Sequence, residues 1–205
     1  MFQFDIVCDD HGIGDVLILK EPTWSNEIAT YMLDNNIHAL RLSDSAGFRG
    51  GDISFIKSLG FLKSLELYCW DAKQVKEISN LSQLEVVGLQ FKSTQKIDFS
   101  SFNNLRVAKV TWAKGLSSLL QCKTIEELNI QNYPLSDLRD ISHMSELRKL
   151  FLTSRKLESL QGIEQLSCLE ELDLYNCQKL TSIESSKECP RLVKVEIEAC
   201  NKICA

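Results

Sequence analysis

Hydrophobic positions recur along this chain as L-x-x-L-x-L, with polar residues filling the gaps just as regularly. The pattern runs Ile37, Leu40, Leu42, then Leu62, Leu65, Leu67, then Leu84, Val87, Leu89, then Leu105, Ala108, Val110. It continues as Ile125, Leu128, Ile130, then Leu147, Leu150, Leu152, then Leu169, Leu172, Leu174, and ends on Leu192, Val195, Ile197. Consecutive units begin 20 to 25 residues apart. Side chains alternate along a strand, so each x-L-x-L predicts a short strand with one buried face. A second apolar series with a step of three lies between strands, as in Val75, Ile78, Leu81; Leu138, Ile141, Met144; and Leu160, Ile163, Leu166. That step suits a tight 3₁₀ turn or a short helix with one inward edge. Each unit therefore reads as strand, bend and short helical return, stacked on its neighbours in one core.

Residues 1–36 stand outside the repeat. "FQFDIV" and "DVLILK" read as strands joined by the turn "CDDHGIGD". "TWSNEIATYMLDNN" reads as a helix capped by Thr23 or Ser25, with Ile28, Tyr31 and Met32 on one face. The organisation expected is a hairpin-plus-helix cap over 1–36 and eight repeats over 37–205, as one continuous domain. The last coil is expected either to be blunted by its own polar edge, the favoured reading, or to contact another chain.

Eight such units in succession resemble the leucine-rich-repeat family, over residues 37 to about 203. Their length is similar to the short repeats of bacterial surface proteins and of a phosphatase regulatory subunit. The resemblance implies an α/β fold, a curved solenoid with a parallel sheet on its concave face and short helices or 3₁₀ turns on its convex face. It also implies a ladder position after each strand, usually Asn, whose amide bonds adjacent bends. That position holds Ser45, Trp70, Lys92, Ala113, Tyr133, Arg155, Cys177 and Cys200. Six of these eight cannot act as a small buried polar group, so irregular bends are expected, with Lys92 and Arg155 turned to solvent. Cys177 and Cys200 are expected to be stacked neighbours, filling the bend as thiols in place of Asn.

Composition narrows the picture. The chain has 205 residues, 28 acidic against 23 basic, and a net charge of -5. That disfavours a nucleic-acid backbone as partner. No apolar run approaches a membrane span, and "MFQFDIVCDD" lacks the features of a signal peptide. The expectation is a cytoplasmic protein whose eight cysteines are packed thiols.

Candidate chemistry is sparse. His11, His38 and His143 fall in a turn, on a strand and on a return, so no Ser-His-Asp or Cys-His set converges. No phosphate loop or dinucleotide fingerprint occurs. Cys8, Asp9, Asp10 and His11 are adjacent and read as a polar hairpin turn, not a metal site. "GFRGGD" at 47–52 reads as a loose bend. The pairs Glu126–Glu127 and Glu170–Glu171 read as solvated strand positions. No catalytic role, metal or cofactor is expected.

Binding is therefore expected on the non-leucine strand positions of the concave face. Tyr68, Trp70, Phe91 and Trp112 fall on three successive coils as candidate aromatic anchors. Phe151, Asp173, Tyr175 and Glu196 extend the row into acidic C-terminal coils. The function expected is a non-catalytic, monomeric protein-binding module whose partner carries a basic patch. It suits an inhibitor or immunity protein that neutralises a toxin or enzyme. The alternative is a regulatory or scaffold subunit of an enzyme such as a phosphatase.

Overall fold

The computed structural model describes residues 2–203. Its chain groups into two compact units. The first comprises the chain up to Leu105 with Ala113–Ser118, and the second Arg106–Trp112 with the chain from Leu119 onward.

The first unit opens on the hairpin of β1 (Phe4–Cys8) and β2 (Asp15–Leu19), paired antiparallel. Its turn is held by Asp9, whose Oδ2 accepts from His11 N at 2.6 Å and Ile13 N at 3.0 Å. The carboxylate thus acts as a turn former, as Asp commonly does. Helix α1 (Asn26–Asp34) is capped by Ser25, whose Oγ accepts from Glu27 N, and it buries Ile28 and Met32. Tyr31 packs against Phe4 with ring centroids 4.8 Å apart. Strands β3 (Ala39–Ser43), β4 (Ser64–Tyr68) and β5 (Val86–Gln90) follow in parallel register, with Leu40, Leu65 and Val87 aligned. β2 joins the sheet beside β3, also in parallel.

The second unit holds β6 (Val107–Thr111), β7 (Glu127–Gln131), β8 (Lys149–Thr153), β9 (Glu171–Tyr175) and β10 (Lys194–Glu198), each parallel to the next. Successive coils are tied just before each strand. Arg106 O accepts from Glu126 N and Glu127 N, Glu126 O from Arg148 N and Lys149 N, and Arg148 O from Glu170 N and Glu171 N. The returns are 3₁₀ turns, as their step of three allows: Val75–Asn80 in the first unit, Arg139–Ile141 and Ile163–Gln165 in the second. All nine residues of the three sequence series are buried. Each fully buried leucine-type side chain contributes about 1.5–3 kcal/mol, so three per strand outweigh any single polar contact in a coil.

The bends depart from the expected ladder in an orderly way. In the coils of β7, β9 and β10 the buried residue lies three positions past the last leucine-type position, as Tyr133, Cys177 and Cys200. In those of β4, β5 and β8 it lies two positions past, as Cys69, Phe91 and Ser154. The expected ladder residues Trp70, Lys92 and Arg155 are exposed instead. A backbone switch accounts for the difference. The three longer bends carry a left-handed residue just before the inward one: Asn132 (φ 60), Asn176 (φ 56) and Ala199 (φ 55). One left-handed residue reverses the chain locally and turns the next side chain inward. Asn adopts this conformation readily, whereas Ala does so at some cost.

The inward residues then bond the coil before them. Ser154 Oγ donates to Tyr133 O at 2.9 Å and accepts from Lys156 N and Leu157 N, both at 3.0 Å. Cys69 Sγ lies 3.5 Å from Leu42 O, and Cys200 Sγ 3.5 Å from Leu174 O. Cys177 N donates to Cys200 Sγ at 3.2 Å, so the two thiols are adjacent rungs, both unbridged.

Two predictions follow from this packing. Gly162 has φ +104, and a Cβ there would lie 2.8 Å from Arg139 N. Gly162→Ala is expected to destabilise the second unit by about 1–3 kcal/mol, read as a lowered urea midpoint by circular dichroism. Secondly, burial above all pushes the Cys69 and Cys177 thiols up to about 12, with Asp44 and Cys200 respectively adding to the effect. The folded value lies above the unfolded one of roughly 8.5. Their contribution is thus intact below that pH and lost as pH rises toward 12. The urea midpoint is expected to fall across this alkaline range, and less so in Cys69→Ala/Cys177→Ala. In the native protein at mildly alkaline pH, mass spectrometry after iodoacetamide is expected to find exposed Cys8 alkylated well before either buried thiol.

Candidate protein-binding faces

One face of each sheet is covered by the apolar returns. The other carries the non-leucine strand positions, and these form the candidate site in each unit.

In the first unit, Arg41, Glu66 and Gly88 lie side by side across β3, β4 and β5. The Arg41 guanidinium grips Glu66 through two bonds, Nε to Oε2 and Nη2 to Oε1, the latter at 3.1 Å. Tyr68 does not project as an anchor. It is half-buried and lies across the sheet over Gly88, where a Cβ would come within 2.3 Å of Tyr68 Oη. Gly88 thus supplies the notch in which the ring rests. Burial, with the Glu66 carboxylate beside it, pushes the Tyr68 hydroxyl well above its ordinary range, so it stays a neutral donor. Arg41, Glu66 and Tyr68 form one pre-ordered polar platform.

The other expected anchors divide. Phe91 is 3 % exposed and belongs to the core, which corrects its placement on the binding face. It fills the inward position of its bend, because no left-handed residue precedes it. The same shift leaves Trp70 outside at 42 % exposure, beyond the strand end. Its N–H is held by Asp44 Oδ2 at 3.0 Å, and Lys92 Nζ stands 5.4 Å from its ring centroid. Such a cation–π contact is worth about 0.5–1 kcal/mol at an exposed site. Beside it opens a groove of about 620 Å³ lined by Lys73, Lys92, Ser93 and Gln95 among others.

In the second unit, Lys109, Asn129, Phe151, Asp173 and Glu196 form one row across β6 to β10. Thr111, Gln131, Thr153, Tyr175 and Glu198 form the next. Trp112, just past β6, is half-buried, and its N–H donates to Gln131 O at 2.8 Å. Phe151 is half-buried, while Tyr175 stands out at 48 % exposure.

Charges on this face are sorted along the row. Glu127 lies between Lys109 at 3.7 Å and Lys149 at 3.9 Å. Glu170 pairs with Arg148 at 2.7 Å, and Lys194 bridges Glu171 and Glu196. Glu127, Glu170 and Glu171 of the two glutamate pairs read from the sequence are thus members of ion pairs between coils. Toward β10 the carboxylates outnumber their cations. Burial, then Glu196, raises the Asp173 carboxyl above the usual range; Lys194 opposes this, and Glu171 and Glu198 add to the rise. A crowded carboxylate cluster around an exposed tyrosine is a surface that an incoming cation would relieve.

Among the described residues, no group of three or more His, Cys, Asp or Glu could hold a metal ion. His38 has both ring nitrogens engaged, by Phe61 O at 3.1 Å and Asn36 Oδ1 at 3.0 Å. Buried His143 Nε2 has no hydrogen-bond partner. Among the described residues, no helix is long and apolar enough to cross a membrane.

The Arg41–Glu66–Tyr68 platform escaped the reading of the sequence, although its signal was present. Arg and Glu occupy equivalent strand positions one repeat apart, and a glycine interrupts the next strand in "LEVVGL". Aligning the strand rows for opposite charges, not only for aromatics, would have found it.

No protein-family model and no curated protein sequence matches the chain. Solved structures do. Internalin C2 of Listeria monocytogenes superposes with a TM-score of 0.66 at 22 % identity, covering 89 % of this chain and 80 % of that one. Internalin InlF of the same organism gives a TM-score of 0.54 at 17 % identity, covering 76 % of this chain and 57 % of that one. The plant peptide hormone receptor RGFR1, solved in complex with RGF2, gives 0.54 at 12 % identity, covering 94 % of this chain and 36 % of the receptor. This chain thus spans little more than half of the InlF structure and about a third of the receptor's. The repeat register, the parallel strands with 3₁₀ returns and these superpositions agree: the chain has the leucine-rich-repeat fold.

Proposed function

We propose that the chain is a non-catalytic module that binds another protein through the open face of its sheet, and that its partner presents a basic patch. The observation that carries this reading is the carboxylate cluster of the second unit. Asp173, Glu196 and Glu198 surround an exposed Tyr175, with Lys194 as the cation at hand. Such an arrangement costs self-repulsion in the free protein, and lysines or arginines of a partner would remove it. Tyr175 adds a large, stiff contact surface of the kind that anchors interfaces. The Arg41–Glu66–Tyr68 platform offers further contacts whose side chains are already ordered, which lowers the entropy lost on binding. The finer form of the proposal is an inhibitor or immunity protein that neutralises a toxin or enzyme, acting in the cytoplasm. Its seven described cysteines, all free, suit a reducing compartment.

The test is affinity capture from native lysate with the wild type and with Asp173→Lys/Tyr175→Ala, followed by mass spectrometry. The expected outcome is a basic-surfaced partner that the variant loses, with affinity reduced about 30-fold or more for a central anchor. Binding is also expected to weaken as salt rises. A partner held equally by wild type and variant would refute this face. For the finer form, the captured protein should be an enzyme or toxin whose activity falls when the wild type is added.

A further inference from the structure

The outermost strand of the second unit is unusual in what it leaves uncovered. All five residues of β10 are exposed, although Val195 and Ile197 occupy the positions that are buried in β7, β8 and β9. Val195 is 41 % exposed and Ile197 39 %, and Val193 just before them is 88 % exposed. A polar edge does not blunt this coil, as its sequence had suggested; among the described residues an apolar row lies open beside a strand paired on one side only, to β9.

The backbone direction follows from the bonds to β9. Lys194 N donates to Glu170 O and Glu198 O accepts from Asn176 N. By alternation, residues 194, 196 and 198 turn their backbone groups toward β9, and Val195 and Ile197 turn theirs outward. A strand that pairs with this edge must meet Val195 and Ile197.

We propose that the occupant of this edge is a second copy of the chain, paired antiparallel about a twofold axis at Val195. The stretch from Val193 to Ile197, "VKVEI", is complementary to itself when reversed. In that register Val195 faces Val195 of the copy, and the two exchange N–H and C=O bonds. Ile197 N–H reaches the carbonyl of Val193 in the copy, in both directions. Val193 N–H is already given to Glu170 O and is not needed. Apolar residues then meet apolar residues on the core side, where Val193, Val195 and Ile197 now lie open.

On the open face, Lys194 stands opposite Glu196 of the copy, twice. These are the non-hydrogen-bonded positions of the pair, where side chains approach most closely. Lysine on an edge strand ordinarily discourages pairing. Here, besides Glu171 and Glu196 of its own chain, it gains a carboxylate of the copy in the self-paired register, so the same residue favours a copy. Shifting the register by two residues would place Glu196 against Glu196, and charge disfavours that slip. The carboxylates of Glu171, Asp173 and Glu198 remain nearby in each copy and keep the association moderate, in the range of roughly tens of micromolar for a small interface. An isologous contact of this kind closes on itself as a dimer.

The test is sedimentation velocity of the 205-residue chain in reductant, so that exposed Cys8 cannot link copies. The wild type is expected to pass from the chain mass to twice that mass with rising concentration. Val195→Pro removes only an outward N–H, which an edge strand tolerates; it is expected to be monomeric with an unchanged melting temperature. Lys194→Glu is expected to weaken the dimer at least about tenfold, and Lys194→Glu/Glu196→Lys to restore it to within about threefold, since one opposed pair is worth roughly 1 kcal/mol. A wild type that stays monomeric up to about 1 mM overturns the proposal and leaves this edge to another chain. A dimer that survives Val195→Pro, or that the double exchange does not restore, overturns it equally.

Discussion

The coils of β4, β5 and β7 to β10 each bury one side chain at the bend that follows the strand, and much of the structure depends on how they do so. The strand delivers leucines to the core, but the bend exposes backbone groups that need partners. A small or suitably shaped inward residue fills the space and bonds the preceding coil, as Ser154 does to Tyr133 O and Cys200 does near Leu174 O. Where a left-handed residue lengthens the bend, the inward position falls one place later. Where none is present, it falls earlier, and the next residue is expelled. Phe91 inside with Lys92 outside, and Cys69 inside with Trp70 outside, are two results of one backbone choice.

That choice also shapes the surface available for recognition. Because the returns bury their apolar step of three, the opposite face of the sheet is free to carry unrelated side chains at no cost to the core. The face has become acidic toward β10 and holds a bridged Arg41–Glu66 pair in the first unit. Tyr68 rests in the notch left by Gly88. A surface ion pair is worth little to stability, so these arrangements matter more for which partner fits than for whether the fold forms.

The stacking logic that builds the core has an unfinished edge at β10. Within the second unit, β7, β8 and β9 are covered on both flanks, and their leucine-type residues are buried. Val195 and Ile197 obey the same repeat pattern and yet remain open. Antiparallel pairing with a copy satisfies their outward backbone groups and covers their side chains together.

Much of this was legible from the order of residues. The recurring L-x-x-L-x-L determined the strands, their parallel register and their spacing, because a period of two buries one face only when the strands stack. The step of three allowed a 3₁₀ turn or a short helix and the cap of α1 could be Thr23 or Ser25; the structure has 3₁₀ returns and the Ser25 cap. Cys177 and Cys200 could be placed on adjacent coils from the repeat spacing alone. What tertiary structure alone decided was the direction of single side chains at the bends and on the open face. Phe91 lies two positions past Leu89 and Trp70 three past Leu67, and neither bend carries the left-handed residue that moves the inward position one place later, so Phe91 falls inside and Trp70 outside. Likewise no local feature separates Val195 from Val110; only the presence or absence of a next strand buries one and exposes the other.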